Sequence, residues 1–294
     1  VAEVEDDVQV ASVMLEYKSA LEGSWTSVEM HDDGENGDAL AGDGLYTAMT
    51  ATYASQTVVQ YVVSAWDNVG RGARSPAQND PKTNHAYFVY DGEVVSKLPV
   101  YFMTIPNMGS INAYSDNYHP ATFVYEGKVY ENVGVRYRGG TARSYPKKCL
   151  KVRFNKGDLF TGAVGNARKS INLQAMWADK SYLREKLAYD MFEKMGVAYC
   201  ETRHVVLYIN GSYWGLFLEM EAPGRRYLKR NDRDDTGNLY KSYNTGTSAG
   251  GFDKKTNETD GSKADLESFL WGINNTPLKQ IEDYLNTRTL VDSQ

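Results

Sequence analysis

Short runs rich in Val, Thr and Tyr, broken every eight to twelve residues by Gly, Asn, Asp or Pro, constrain this chain most tightly. Val8 to Tyr17, Trp25 to Met30, Leu45 to Tyr53 and Val58 to Trp66 all have this form. β-branched and aromatic side chains fit a pleated, half-buried surface, so sequential strands are predicted. No helical period of comparable strength competes before residue 92. The stretch Gly70 to Pro81 reads as a turn-rich exit, followed by an edge strand at Ala86 to Tyr90. The first unit is therefore expected to be an all-β sandwich over residues 1–94, with a boundary at 91 to 97.

The second unit, 97–294, mixes strands and helices. Val100 to Thr104, Ala121 to Tyr125, Lys128 to Arg138, Lys148 to Phe154 and Ile171 to Leu173 read as strands. The clearest helix follows. Leu183, Leu187, Met191 and Met195 recur every four residues, Asp179 or Ser181 is available as N-cap, and Gly196 ends the pattern. Val205 to Ile209 and Tyr213 to Met220 make a hairpin, because Asn210-Gly211 occupies the two-residue position that favours a type I′ turn. Thr245 to Gly261 reads as a loop and Lys263 to Leu285 as one or two short helices.

Charge separates the two units. Of 294 residues, 41% are hydrophobic and 24% charged, which sets aside disorder and coiled coil. The net charge of -6 divides into -11 over residues 1 to 92 and +5 over the remainder. The longest apolar runs fall far short of a bilayer span. Cys149 and Cys200 are too few for a disulfide scaffold, and their pairing is left open.

Gly134 to Lys156 contains eight Lys or Arg and no carboxylate. Two strands joined by a glycine-bearing turn bring Arg136, Arg138, Arg143, Lys147, Lys148, Lys151 and Arg153 towards a common space, where guanidinium and ammonium groups suit phosphate oxygens. Gly139 and Gly140 allow backbone N–H groups to approach the same anion. A solvated basic hairpin pairing with the acidic first unit accounts for the same residues. Nucleic-acid binding through Tyr137 and Tyr145 is disfavoured by the overall acidity.

On the helix, Tyr182, Glu185, Tyr189 and Phe192 place one carboxylate in an aromatic stripe. Its partner is Lys151 or Lys148 from the preceding strand, or alternatively Lys186, Lys180 or solvent. In the first unit, Asp32, Asp33, Asp38 and Asp43 lie in a glycine-rich loop. Asx turns explain that loop, with calcium as the secondary expectation, since the EF-hand pattern is not met. No hydrolase, Walker A, Rossmann, zinc-protease or ordinary kinase motif is present in the sequence.

Three segments carry a resemblance. Val135-Arg136-Tyr137-Arg138-Gly139 with Pro146-Lys147-Lys148 and Lys151-Val152-Arg153-Phe154 is similar to the CotH family, the spore-coat protein H kinases of bacteria and their secreted relatives. Ser181 to Asp190 and Leu207 to Leu216 follow in the family's order, and Asn238-Leu239-Tyr240-Lys241 continues it, so the resemblance covers roughly 97 to 294. Ala41-Gly42-Asp43-Gly44-Leu45-Tyr46-Thr47 resembles immunoglobulin-like or fibronectin-like modules of exported proteins.

The resemblance implies an immunoglobulin-like sandwich followed by an α+β atypical protein-kinase-like domain, incomplete at its C-terminal end. It also implies an extracytoplasmic location, ATP with Mg²⁺ or Mn²⁺, and transfer of the γ-phosphoryl group to Ser or Thr of a coat or surface protein. Carried onto this chain, Lys148 or Lys151 steadies the phosphates, Glu185 sits on the regulatory helix, and Glu219 to Ala222, including Glu221, approximates the adenine hinge. Arg138 and Arg184 help to organise the site. The family's metal-binding aspartates are expected beyond Gln294, so the chain is expected to be a fragment of a longer reading frame, inactive alone. The competing expectation is a non-catalytic surface or adhesion protein using the same fold as a platform.

Overall fold

The computed structural model describes residues 1–162, 167–243 and 247–286, and the chain is mostly β. It divides into two compact units. One comprises 1–182 with 202–220, the other 183–201 with 221–294.

In the first unit, β1 (Ala2–Glu3) pairs with β4 (Leu45–Tyr46) as a two-stranded ribbon. A larger antiparallel sheet holds β2 (Val10–Ser19), β3 (Thr26–Met30), β5 (Thr57–Asp67), β6 (Gly72–Ser75) and β7 (His85–Val89). Its order is β3-β2-β5-β6, with β7 also paired to β5. Val13, Leu15, Tyr17 and Met30 are buried on one face of β2 and β3, with Tyr46, Tyr53 and Val63 packed against them. That is the period-2 signature of a half-covered sheet. Two details differ from the sequence expectation. Gly72–Ser75 forms a strand inside the supposed turn-rich exit, because Ala73 and Arg74 take up the ladder opposite Ala65 and Ser64. Thr47 makes a single bridge to His31, residues 48–53 then run outside the strands, and the Tyr17 hydroxyl accepts the Ala51 N–H at 3.1 Å.

The second assembly of this unit is a closed seven-stranded barrel. Its strands are β8 (Val100–Thr104), β9 (His119–Tyr125), β10 (Lys128–Arg138), β11 (Cys149–Arg153), β12 (Ser170–Gln174), β13 (Thr202–Ile209) and β14 (Ser212–Glu221). The order is β10-β11-β12-β14-β13-β8-β9, with β8 parallel to β13. The Asn210-Gly211 turn is left-handed at both residues, φ 50° and 75°, as a type I′ hairpin requires. Asn210 also fastens the hairpin to β8, its side chain accepting from Ile105 N–H at 2.8 Å and donating to Ile105 C=O at 3.0 Å.

Aromatic rings fill the barrel. Tyr101, Phe123, Tyr130, Phe154 and Phe160 are buried together, with Phe154 and Phe160 stacked at 4.8 Å and Tyr101 edge-on to Phe123 at 5.0 Å. Phe160 comes from the β11–β12 connection and is bridged to Arg168 by two backbone hydrogen bonds, at 3.0 and 2.8 Å.

The sheet and the barrel meet along a seam. Ala20, Val58 and Val124 are buried there with Phe88, Phe102 and Val129 around them, and the Phe88 and Phe102 rings lie 4.9 Å apart. At the polar end of the seam Glu131 is buried and accepts hydrogen bonds from Gln60 at 3.0 Å and from Asn84. Asp158 of the barrel receives Lys128 at 2.7 Å and Lys82 at 3.6 Å.

The second unit contains α1 (Arg184–Lys194), α2 (Arg225–Arg230), the β15 (Tyr240–Ser242) and β16 (Phe252–Lys254) hairpin, α3 (Ala264–Asn275) and α4 (Ile281–Asn286). β16 lies inside the segment read as loop, and Thr245 and Gly246 of that segment lie outside the described residues. α1 ends at Met195 before Gly196, as its sequence implies. The face it presents is the unexpected part. Leu183, Leu187, Met191 and Met195 are 48, 54, 60 and 68% exposed. On the aromatic stripe Tyr189 is half-buried and hydrogen-bonded to the buried Cys200, while Phe192 is 41% exposed. Tyr189 is two residues from Leu187, about 200° round the helix, so packing one stripe leaves the other outside. Cys149 and Cys200 are both free thiols, and burial pushes that of Cys200 up to about 11.

Two predictions follow from the core and the seam. Phe160→Ala removes a ring from a closed aromatic cluster and is expected to cost about 3–5 kcal/mol, read as a drop in denaturant midpoint, with Phe160→Leu costing less. A wild-type midpoint in Phe160→Ala would show that the ring cluster does not hold the barrel. Burial raises the Glu131 carboxyl above its ordinary value, against the hydrogen bonds from Gln60 and Asn84. The folded protein therefore holds this proton more tightly than the unfolded chain. The stabilisation is complete below the ordinary carboxyl value and is lost as pH rises through the raised one. Glu131→Gln keeps an acceptor for both amides, so its melting temperature should fall less than that of the wild type between about pH 4.5 and neutrality. Parallel pH profiles in the two proteins would remove Glu131 from the linkage.

Candidate functional site

Strand alternation decides which cations can act together. Val135 and Tyr137 of β10, Leu150 and Val152 of β11, and Ile171 and Leu173 of β12 are buried in the barrel. Their register partners place Arg136 beside Lys151 and Arg138 beside Cys149. Lys151 in turn pairs with Asn172, and Arg153 with Ser170. Arg136 and Arg138 of β10 and Lys151 and Arg153 of β11 thus share the outer face of two adjacent strands, since side chains two apart lie on one side.

The residues around this face fix it in place. Arg153 lies 4.1 Å and Arg136 5.4 Å from the centre of the Tyr118 ring. Gly134 makes room for that ring, because a Cβ there would come within 2.9 Å of Tyr118 Cδ1. Arg136 donates to Asp116 Oδ1 at 2.7 Å, and Arg143, from the single 3-10 turn Thr141–Ser144, donates to the same oxygen. Arg143 leads the causes that hold the Asp116 carboxyl below the usual carboxylate range. Arg138 donates to Gln174 Oε1.

The three neighbouring lysines have different surroundings. Lys151 stands on the outer face. Lys148 donates to Tyr145 C=O at 2.9 Å and lies 5.8 Å from the Tyr137 ring centre. Lys147 reaches Leu216 C=O and sits 4.2 Å over Phe217 and 5.2 Å over Tyr182. Burial lowers the Lys147 ammonium below its ordinary value. Gly215, at φ 101°, keeps the backbone near that ammonium, where a Cβ would lie 3.5 Å from Nζ.

The remaining candidates lie elsewhere. Glu219 points into the barrel core, accepting from the Tyr101 hydroxyl and from Arg168 at 3.2 Å, and burial together with Glu219 raises the Tyr101 phenol. Glu221 belongs to the second unit and accepts from Arg230 at 2.7 Å, while Arg230 also donates to Tyr199 C=O. Arg184 and Glu185 open α1 in the same unit. In the acidic loop, oxygens of Asp32, Asp38 and Asp43 lie within 4.8 Å of one another. Asp32 accepts from the amides of Gly42, Asp43 and Gly44, and Asp38 from that of Gly34. Asp33 faces Glu35 N–H in a separate turn at 2.9 Å. The Asp33 bond is an Asx turn, whereas the Asp32 bonds close the loop across ten to twelve residues.

Sequence reasoning missed Asp116, Tyr118, Gln174 and the buried setting of Lys147.

The family match takes in this face. Residues 135–293 match the family model described as CotH kinase protein. The inner spore coat protein H of Bacillus subtilis (strain 168) is 26% identical over 175 residues, which cover 55% of this chain and 47% of that protein. The chain therefore spans about half the length of that relative. Since the family match begins within β10, takes in most of the basic face and extends over more than half of the sequence, the chain belongs to the CotH kinase protein family.

Proposed function

We propose that this chain is part of an extracytoplasmic atypical protein kinase that transfers the ATP γ-phosphoryl group to Ser or Thr of a coat or surface protein. Residues 1–94 then form an immunoglobulin-like accessory module, and 97–294 belong to the α+β kinase-like domain. Coat association is supported by the relative's description as an inner spore coat protein. The observation that carries the reading is the outer face of β10 and β11, where four cations, Arg136 and Lys151 directly paired in register, lie on one rigid surface within the matched interval.

The chemistry of the donor set fits a polyphosphate. Guanidinium forks and an ammonium provide directed N–H donors and positive charge, which is what phosphate oxygens require. Arg138 and Lys151 are the residues that hold the phosphates, with Lys148 as the alternative lysine. Bound ATP with Mg²⁺ or Mn²⁺ supplies the transferable phosphoryl group. The protein's part on this face is positioning and charge neutralisation, the larger share of catalysis in phosphoryl transfer. A second reading, a non-catalytic binding platform, draws on the Asp116 ion pairs, which satisfy two of the arginines internally. No helix among the described residues is long and apolar enough to cross a membrane.

Nucleotide binding discriminates the readings. ATP with Mg²⁺ or Mn²⁺ should raise the melting temperature, by an amount equivalent to about 2.7 kcal/mol at a hundredfold excess over Kd. Lys151→Met should abolish most of that shift and Lys148→Met little of it; the reverse ranking would transfer the role to Lys148. Absence of any shift in the wild-type protein would favour the platform.

A further inference from the structure

Asp116 and its two arginines combine features that an ordinary surface ion pair does not. The carboxylate side chain is 70% exposed, while those of Arg136 and Arg143 are only 15 and 14% exposed. Both guanidinium groups meet at one oxygen, Oδ1, each through a single terminal nitrogen. The Nε atoms of both arginines are buried and find no hydrogen-bond acceptor among the described residues. Lys151 adds a third positive charge felt by the same carboxylate. Three cations therefore surround one anion, and two buried guanidinium donors are left over.

Like charges held together in a partly desolvated place cost free energy unless an anion offsets them. An aspartate offers one negative charge and two oxygens. A phosphoryl group offers up to two charges and three oxygens, enough for two arginine forks at once. The exposed member of the cluster is the anion, and the buried members are the arginines. Tyr118, two residues along the chain, is stacked against Arg136 and Arg153, which holds the segment carrying Asp116 over the face.

We propose that Arg136 and Arg143 form a phosphoryl-binding site and that Asp116 occupies it as a built-in competitor. The inference rests on the reading of this face as phosphate-binding and adds to it a specific pair of arginines and an intramolecular anion that must yield before the ligand binds. Because Arg143 and Arg136 keep the Asp116 carboxyl ionised well below its ordinary range, acidification does not release it near neutrality. Release comes from displacement by a stronger anion.

The test uses inorganic phosphate as the probe, titrated against the intact chain and followed by calorimetry, with ATP and Mg²⁺ as a separate arm. Asp116→Ala should tighten phosphate binding about fivefold to tenfold, the scale of removing one partly exposed competing charge. Asp116→Asn, which keeps the acceptor oxygen without the charge, should give a smaller gain. Adding Arg143→Ala to Asp116→Ala should abolish the gain. Unchanged phosphate affinity in Asp116→Ala, or a gain that survives Arg143→Ala, overturns the proposal. If phosphate responds as expected and ATP binds neither protein, the anion site stands and the nucleotide reading falls. If ATP binds and phosphate affinity ignores Asp116, the nucleotide reading stands and the competitor falls.

Discussion

Phe160 enters the barrel from the connection between β11 and β12 rather than from the strand ladder, and it touches the rings of Tyr101, Phe123, Tyr125, Tyr130 and Phe154. Such ring pairs contribute roughly 0.5–1.5 kcal/mol each beyond the area they bury. Their larger effect is on register. With Leu150 and Val152 committed to this interior, Lys151 and Arg153 must face out. A slip of one residue would exchange the two sets and drive charged groups into an aromatic core. The basic face is thus a consequence of the core, and its rigidity is the core's rigidity.

Of the carboxylates buried in this unit, Glu219 and Glu131 are accommodated differently. Glu219 meets a cation and a phenol, Arg168 and Tyr101, so its charge is compensated within the barrel. Glu131 meets two neutral amides at the seam and has its carboxyl raised. Amide donors solvate a carboxylate partially, and the residual desolvation appears as proton affinity. The seam is accordingly a pH-sensitive place.

The sequence made the local rules legible and left the pairwise ones hidden. Asn210-Gly211 specified its hairpin because the turn type needs left-handed φ at two successive residues, a purely local demand. The eight cations of 134–156 announced a basic face for the same reason. The packed side of α1 was ambiguous, since Leu183-Leu187-Met191-Met195 and Tyr182-Glu185-Tyr189-Phe192 both recur at helical spacing, and only a tertiary partner such as Cys200 chooses between them. The bond between Glu219 and Tyr101 was hidden because the two residues lie 118 positions apart. Asp116 was invisible in the same way, 27 residues from Arg143. Among Lys147, Lys148 and Lys151, the spacing carries no preference until the strand start at Cys149 sets the alternation.

Charge segregation takes on a different meaning once these contacts are known. An acidic first portion and a basic hairpin invite the idea that one neutralises the other. Yet Arg136 and Arg143 pair with Asp116, which belongs to the basic portion, and the seam between sheet and barrel is built from apolar side chains with Gln60, Asn84 and Glu131. The ion pair that does cross the seam runs in the opposite sense, from Lys82 of the acidic portion to Asp158 of the barrel. The acidic loop around Asp32 closes on its own amides. The opposite charges are therefore not spent on holding the two β assemblies together. Both fields extend into solution, where over about 8–10 Å at physiological ionic strength they bias the approach of charged partners.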